Sequence, residues 1–101
     1  MTIFQKKVYD ACKKIPKGKV STYGEIAKYI GNPDSSRAVG NALSVNPFAP
    51  KVPCHRVVKG DGTLGGFATG LENKIALLKE EGVLVKENRV QHLQKIKHLF
   101  D

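Results

Sequence analysis

Residues 22–45 read TYGEIAKYIGNPDSSRAVGNALSV, and this stretch decides the fold. Apolar residues recur at helical spacing on both sides of residues 32–34, which have the composition of a turn. Thr22 and Glu25 have the spacing of a capping box at the start of the first helix. A second helix is predicted over residues 36–45. Two short helices across a tight turn predict a helix-turn-helix.

The second helix of this pair carries one large basic residue, Arg37, followed by small side chains. The small residues are Ala38, Gly40, Asn41, Ala42 and Ser44. Such a smooth helix can lie close to another backbone. The neighbour is either a second helix of the same fold or the minor groove of DNA with Arg37 wedged into the duplex, and these residues alone leave both readings open.

Outside this stretch, apolar spacing predicts helices over residues 3–14, 69–82 and 84–101. The helix over 69–82 begins with a second capping box, and the last helix is amphipathic. Residues 54–59 are short and strand-like. The prediction is a mainly α, winged-helix-like domain spanning 1–101, with a helix-turn-helix and a short strand or loop segment.

Charge is distributed unevenly along the 101 residues, a length typical of one domain. Residues 1–60 carry the whole formal net charge of +8, and residues 61–101 are neutral. A basic half suggests a polyanion-binding face, although a solvated lysine-rich surface gives the same count. No apolar run approaches the roughly 20 residues of a membrane span, and residues 1–7 lack the apolar region of a signal peptide. We expect a monomeric, cytoplasmic protein with no membrane partner.

The reactive chemistry is expected at Cys54 and its neighbours. Cationic residues around a cysteine favour the thiolate, and His55 is a candidate general base. If both residues were extended, their side chains would point to opposite sides, so a turn or a bridging water is needed. A structural Cys-His pair is the alternative. We expect no metal and no cofactor, because neither Cys-x-x-Cys nor a phosphate-binding loop is present.

The segment VPCHRVV at residues 52–58 resembles the active-site motif of the 6-O-alkylguanine-DNA alkyltransferases. Other segments resemble the same family in the same order. They are KGKVSTYGEIA at 17–27, SRAVGNA at 36–42, Asn46 with Pro47, and residues 65–82. The likeness covers residues 3–83.

This resemblance implies irreversible, stoichiometric transfer of an alkyl group from 6-O-alkylguanine in double-stranded DNA to Cys54, after the base flips out. His55 resembles the histidine that activates the thiol through a water, and Glu81 the glutamate that orients it. Tyr23 resembles the tyrosine that rotates the 3′ phosphate and donates to the departing base. Asn46 resembles the hinge between the recognition helix and the active-site loop.

The resemblance also implies a DNA-binding surface and a guanine pocket. Arg37 resembles the arginine finger that fills the vacated stack. The other expected DNA contacts are Tyr23, Thr22, Ser36, Ala38 and Asn41. The expected pocket residues are Pro53, Val57, Phe67, Ala68 and Thr69. Ala68 lacks a hydroxyl, which removes one donor to the flipped base.

Two other functions remain open from the sequence. Family members usually carry an additional N-terminal domain, and this chain begins almost at the DNA-binding domain. The alkyltransferase-like proteins are similarly short, have tryptophan in place of the cysteine, and bind lesions to recruit excision repair without chemistry. Cys54 favours the transferase over such a lesion sensor. A general helix-turn-helix DNA binder would need base-reading side chains, which the small residues of the second helix do not supply.

Overall fold

The predicted helix-turn-helix is present. The structure, a computed structural model, describes residues 1–65 and 70–100. Helix α2 spans Tyr23–Tyr29 and helix α3 spans Ser36–Ser44. Thr22 caps α2, because its Oγ1 accepts a hydrogen bond from the Glu25 amide at 3.1 Å. Ser35 precedes α3 without capping it, and its hydroxyl donates instead to the Asn32 carbonyl at 2.6 Å.

Helix α1, Ile3–Lys13, packs against both α2 and α3. It begins with a capping box: Thr2 Oγ1 accepts from the Gln5 amide, and Gln5 Oε1 accepts from the Thr2 amide. Buried apolar residues from the three helices make up most of the first core, with Val8, Cys12, Ile26 and Val39 fully buried. Its formation follows from the helical period of the apolar residues in each of the three segments.

Two short strands connect the helix-turn-helix to the Cys-His segment. Strand β1, Ser21–Thr22, pairs in parallel with β2, Val57–Val58, with Ser21 opposite Val57. The strand-like prediction for residues 54–59 is correct only at β2. Cys54–Arg56 form one 3-10 turn, in which the Arg56 amide donates to the Pro53 carbonyl at 2.9 Å. This turn follows a proline, whose ring excludes a regular strand before it.

Helix α4 spans Leu71–Glu80 and ends before Gly82. Gly82 has φ +86°, the left-handed conformation that glycine adopts most readily after a helix. The residue preceding α4 is Gly70, which has no side chain with which to cap it. The predicted capping residue, Thr69, lies outside the described residues, as do Phe67 and Ala68.

The prediction of one amphipathic helix over residues 84–101 is wrong. Strands β3, Val85–Lys86, and β4, Arg89–Val90, form an antiparallel hairpin, followed by the one-turn helix α5, Leu93–Ile96. The two-residue turn consists of Glu87 and Asn88, both at positive φ, which matches the geometry of a tight hairpin.

Apolar residues of the tail complete a second core. Val90 is buried there with Val20, Val58, Leu64, Leu78 and Val83, and Val85, Leu93 and Ile96 pack against this cluster. The tail also contacts Val20, just before β1, because the His98 amide donates to the Val20 carbonyl at 2.7 Å. The described part of the chain has no helix long and apolar enough to cross a membrane.

Candidate active site

The Cys54–Arg56 turn packs against α4, whose Leu78 lies in the second core. Cys54 belongs to the first core and is 5% exposed, and His55 is 3% exposed. Because a 3-10 turn advances about 120° per residue, the three consecutive side chains point in three directions. His55 and Arg56 both reach Glu81 at the end of α4.

The His55–Glu81 contact is the best-defined polar feature of the turn. His55 Nε2 lies 3.0 Å from Glu81 Oε2. When Nε2 carries the proton and donates it to the carboxylate, Nδ1 of the neutral ring is left as an acceptor. The Glu81 carboxylate therefore orients the imidazole and selects the tautomer that can accept a proton.

Arg56 holds the other side of the same carboxylate. Its Nε donates to Glu81 Oε1 at 2.9 Å, and one terminal nitrogen donates to Oε2 at 2.6 Å. Its second terminal nitrogen donates to the Ile15 carbonyl at 2.8 Å, just after α1. This fork geometry fixes the position of the carboxylate. Sequence reasoning counted Arg56 only among the cationic neighbours of Cys54 and did not predict its contact with Glu81.

The environment of Glu81 keeps it ionised. Burial alone would raise the pKa of this carboxyl, but hydrogen bonds from Arg56 and His55 and the neighbouring positive charge outweigh burial and hold the pKa below its ordinary value. Glu81 is thus a fixed negative charge beside the His55 ring.

Asn46 lies at the base of the loop that leads to Cys54. Its Nδ2 donates to the Val52 carbonyl at 2.9 Å, and its Oδ1 accepts from the Phe48 amide at 2.9 Å. Asn46 is buried, so its side chain closes the loop over 46–52 instead of facing solvent. This arrangement links the end of α3 to the residues just before the Cys54–Arg56 turn.

Tyr23 is half-buried at the start of α2 and packs against the first core. Burial raises the pKa of its hydroxyl, and a negative charge at Cys54 or Cys12 raises it further. Its ring contacts both α3 and the loop before residue 66. A Cβ added to Gly65 would lie 2.6 Å from Tyr23 Oη, so a larger residue at position 65 would displace this side chain.

The predicted DNA contacts separate into exposed and buried residues. Ser36, Arg37, Ala38 and Asn41 are exposed on α3. Thr22 is buried, and its hydroxyl oxygen is used to cap α2. Of the predicted pocket residues, Pro53 and Val57 are buried beside the turn, and Phe67, Ala68 and Thr69 lie outside the described residues.

A buried lysine behind the turn also escaped sequence reasoning. Lys74 in α4 is fully buried, and its Nζ donates to the Val57 carbonyl at 2.7 Å. Cys12 is likewise fully buried, and desolvation raises the pKa of its thiol to about 12. Among residues 1–65 and 70–100, no cluster of three or more His, Cys, Asp or Glu is arranged to hold a metal ion.

Several known proteins are similar to this chain in sequence. The profile of the family described as 6-O-methylguanine DNA methyltransferase, DNA binding domain, matches residues 3–83. The methylated-DNA--protein-cysteine methyltransferase of Methanosarcina acetivorans is 59% identical over 81 residues, which are 80% of this chain and 52% of that protein. The Salmonella typhimurium protein of the same name is 46% identical over 84 residues, 83% of this chain and 49% of its own. The chain spans about half the length of these relatives.

Solved structures show similarity to two kinds of protein. Mycobacterium tuberculosis OGT in complex with DNA superposes with a TM-score of 0.79 and 48% identity, covering 81% of this chain and 50% of its own. S. pombe Atl1 in complex with damaged DNA containing O6-carboxymethylguanine superposes with a TM-score of 0.86 and 37% identity. That match covers 98% of this chain and 99% of Atl1, so it includes the tail.

Proposed function

Because the chain belongs to the 6-O-methylguanine DNA methyltransferase family, we propose that it repairs DNA by direct reversal, with Cys54 accepting the alkyl group from O6 of guanine. The observation that carries this proposal is the 3.0 Å contact between His55 and Glu81, on the turn that begins with Cys54. It supplies the base and its orienting carboxylate directly beside a nucleophile.

The reaction is a single displacement. His55, donating through Nε2 to Glu81, accepts the Cys54 proton at Nδ1 through one water. Sγ then attacks the alkyl carbon: the S–C bond forms, the C–O6 bond breaks, and its electron pair leaves with the guanine. Tyr23 donates a proton to the departing base, and the proton released from Cys54 restores that of Tyr23. The thioether product is stable, so each protein molecule reacts once.

The exposed side of α3 is proposed to bind the duplex. Ser36, Ala38 and Asn41 are small enough to let the helix approach the minor groove, and Arg37 enters the stack that the flipped base vacates. The basic residues of 1–60 attract phosphates without sequence preference. The free thiols of Cys12 and Cys54 suit the reducing cytoplasm, where we propose that the protein acts as a monomer.

A titration of lesion removal tests this proposal. Increasing amounts of protein are incubated with a duplex containing one 6-O-methylguanine, and the remaining lesion is counted. The expected result is removal of one lesion per protein molecule, with none removed by Cys54→Ser. Cys12→Ser is the matched control and should remove lesions one for one. Multiple turnovers, or equal removal by Cys54→Ser, would contradict transfer to Cys54.

A second candidate function is lesion sensing without chemistry. It is favoured by the similarity to S. pombe Atl1, which extends over the tail. The thiol distinguishes the two functions, because a sensor should keep its lesion affinity and lose no activity in Cys54→Ser. Tight lesion binding by the native protein without lesion removal would contradict alkyl transfer and support lesion sensing.

A further inference from the structure

The tail hairpin, residues 85–90, binds the loop that follows β2. The Val90 amide donates to the Gly62 carbonyl at 2.8 Å, and the Leu64 amide donates to the Asn88 carbonyl at 3.0 Å. An antiparallel bridge lies between these two hydrogen bonds. The side chains of Leu64 and Val90 are buried together in the second core. The hairpin therefore holds this loop through both backbone and side-chain contacts.

Gly62 permits the close approach of the loop to the hairpin. Its φ is +90°, a conformation that side chains disfavour. A Cβ at this position would lie 3.2 Å from the Val90 carbonyl oxygen and 3.2 Å from Arg89 Cγ. A Cβ on Gly60 would instead meet nothing within 4 Å. Contact with the hairpin thus depends on the absence of a side chain at residue 62.

The other end of the loop lies against Tyr23. A Cβ on Gly65 would lie 2.6 Å from Tyr23 Oη and 3.2 Å from its Cε2. The Gly65 amide donates to the Thr63 carbonyl at 3.3 Å. The Asp61 carboxylate accepts from the amide and the hydroxyl of Thr63, at 3.0 and 2.6 Å. Because these bonds make the loop compact, a displacement at Gly62 is expected to reach the Tyr23 hydroxyl.

We propose that the tail hairpin is a positioning element for Tyr23: by binding residues 62–64, it keeps Gly65 against the Tyr23 ring and fixes the direction in which the hydroxyl donates to the departing base. This inference rests on the proposed function, in which Tyr23 is the proton donor. The hairpin lies beyond residues 3–83, which the family profile matches. It needs no contact with the DNA or the alkyl group.

A positioning role differs from a purely stabilising role in its dependence on the hydroxyl. If the hairpin acts through Tyr23, loosening it has no effect on alkyl transfer once the hydroxyl is absent. A loss of stability lowers transfer whether or not the hydroxyl is present. Misplacing a reacting group by about 1 Å can cost about 100-fold in rate, so a partial displacement should cost about tenfold.

The test is a double-mutant cycle of Gly62→Ala with Tyr23→Phe. Single-turnover transfer from a duplex containing one 6-O-methylguanine is measured for the native protein, each single variant and the double variant. Gly62→Ala should transfer about tenfold more slowly than the native protein. Added to Tyr23→Phe, the same substitution should change the rate by less than about twofold.

Two glycines supply matched controls. Gly60→Ala places its methyl group in open space, two residues before Gly62. Gly31→Ala also meets nothing within 4 Å but has φ +87°, so it reports the cost of a positive φ without a contact. Both controls should transfer at the native rate, even though Gly31→Ala should melt at a lower temperature.

A second measurement needs no lesion. The nuclear Overhauser effect between the Gly65 α protons and the Tyr23 ring protons reports their contact in the free protein. This signal should weaken in Gly62→Ala and stay unchanged in both controls. Thermal unfolding shows whether each variant is folded. If Gly62→Ala does not fold, Leu64→Ala replaces it in both measurements, because it removes the packing on Val90 without straining the backbone.

A native transfer rate in Gly62→Ala, or an unchanged contact between Gly65 and Tyr23, would overturn the proposal. An equal loss of rate with and without the Tyr23 hydroxyl would assign the hairpin to stability alone and would also overturn it. Failure of the proposed function is distinct, because it shows as no lesion removal by the native protein while the contact between Gly65 and Tyr23 is still observed.

Discussion

Glu81 receives hydrogen bonds from two consecutive residues of the reactive turn, His55 and Arg56. Its carboxylate selects the imidazole tautomer, and the Arg56 guanidinium fixes the position of the carboxylate. Because Arg56 also reaches the Ile15 carbonyl, the base and its orienting group are fixed relative to α1. In the proposed reaction, this network positions His55 as the base for Cys54.

Glu81→Gln should slow alkyl transfer at least about tenfold. Glutamine has nearly the same shape, but it removes the charge that stabilises the imidazolium and leaves Arg56 without its anion. Glu80→Gln, on the neighbouring exposed residue, is the matched control. Single-turnover transfer rates on a duplex with one lesion measure both variants, and a native rate in Glu81→Gln would contradict the proton relay.

The lowered pKa of Glu81 also predicts how stability depends on pH. A carboxyl whose pKa is lower in the folded protein than in the unfolded chain stabilises the fold at every pH above its ordinary pKa of 4.5. That stabilisation is lost as the pH falls from 4.5 through the pKa of the folded state. The free energy of unfolding of Glu81→Gln should therefore decline less than that of the native protein below pH 4.5. Urea unfolding at pH 7 and pH 3.5 measures this, and parallel declines would contradict it.

The sequence allowed prediction of Cys54, His55 and Glu81 because the family motif carries them. Lys74 could not be found in that way, since a lysine in an amphipathic helix is expected on the solvated side. Its spacing was nevertheless a signal: Lys74 lies three residues after Leu71 and four before Leu78, on the apolar stripe of α4. Only packing shows that its ammonium group contacts the Val57 carbonyl.

At the scale of elements, α3 combines an exposed side of small residues with one long basic side chain. Arg37→Ala should lower alkyl transfer from duplex DNA about tenfold or more, because flipping costs a few kcal/mol that the inserted side chain offsets. Transfer from a free base analogue should stay unchanged, since no stack needs filling. An equal loss of alkyl transfer from duplex DNA and from the free base analogue would contradict insertion of Arg37 into the base stack.

The tail shows where periodicity misleads. Val90, Leu93 and Ile96 have helical spacing, but Glu87 and Asn88 turn the chain sharply before it reaches them. A two-residue turn of this kind is weakly encoded, because Glu-Asn lacks the glycine that usually marks it. The apolar residues still reach one core, though from a strand and a one-turn helix.

Val90→Ala should destabilise the protein by about 2 kcal/mol, because it leaves a cavity in the second core. The melting temperature should fall by about 10 °C. Leu99→Ala is the matched control, since Leu99 is 74% exposed. Calorimetry compares the two variants, and an unchanged melting temperature in Val90→Ala would show that the tail does not stabilise the fold.

At the scale of the whole molecule, the excess positive charge and the helix-turn-helix lie in the same part of the chain. The excess charge of +8 lies in residues 1–60, which include the helix-turn-helix. The helix order and the mainly α class could be predicted from periodicity. The parallel pairing of β1 with β2 could not, because two-residue strands have no period to detect, and yet this pairing ties the start of α2 to the reactive segment.

Affinity for undamaged duplex DNA should fall steeply with salt. Phosphate contacts release counterions, so the logarithm of the binding constant decreases linearly with the logarithm of salt concentration. Fluorescence anisotropy between about 50 and 200 mM salt measures the slope. A flat response would contradict phosphate binding by the basic half.

The most direct measurement is mass spectrometry of the intact protein after incubation with a duplex containing one 6-O-methylguanine, followed by peptide mapping. We predict a gain of one methylene group per molecule, located on Cys54 and absent from Cys12. An unchanged mass with the lesion still bound would contradict alkyl transfer and support lesion sensing.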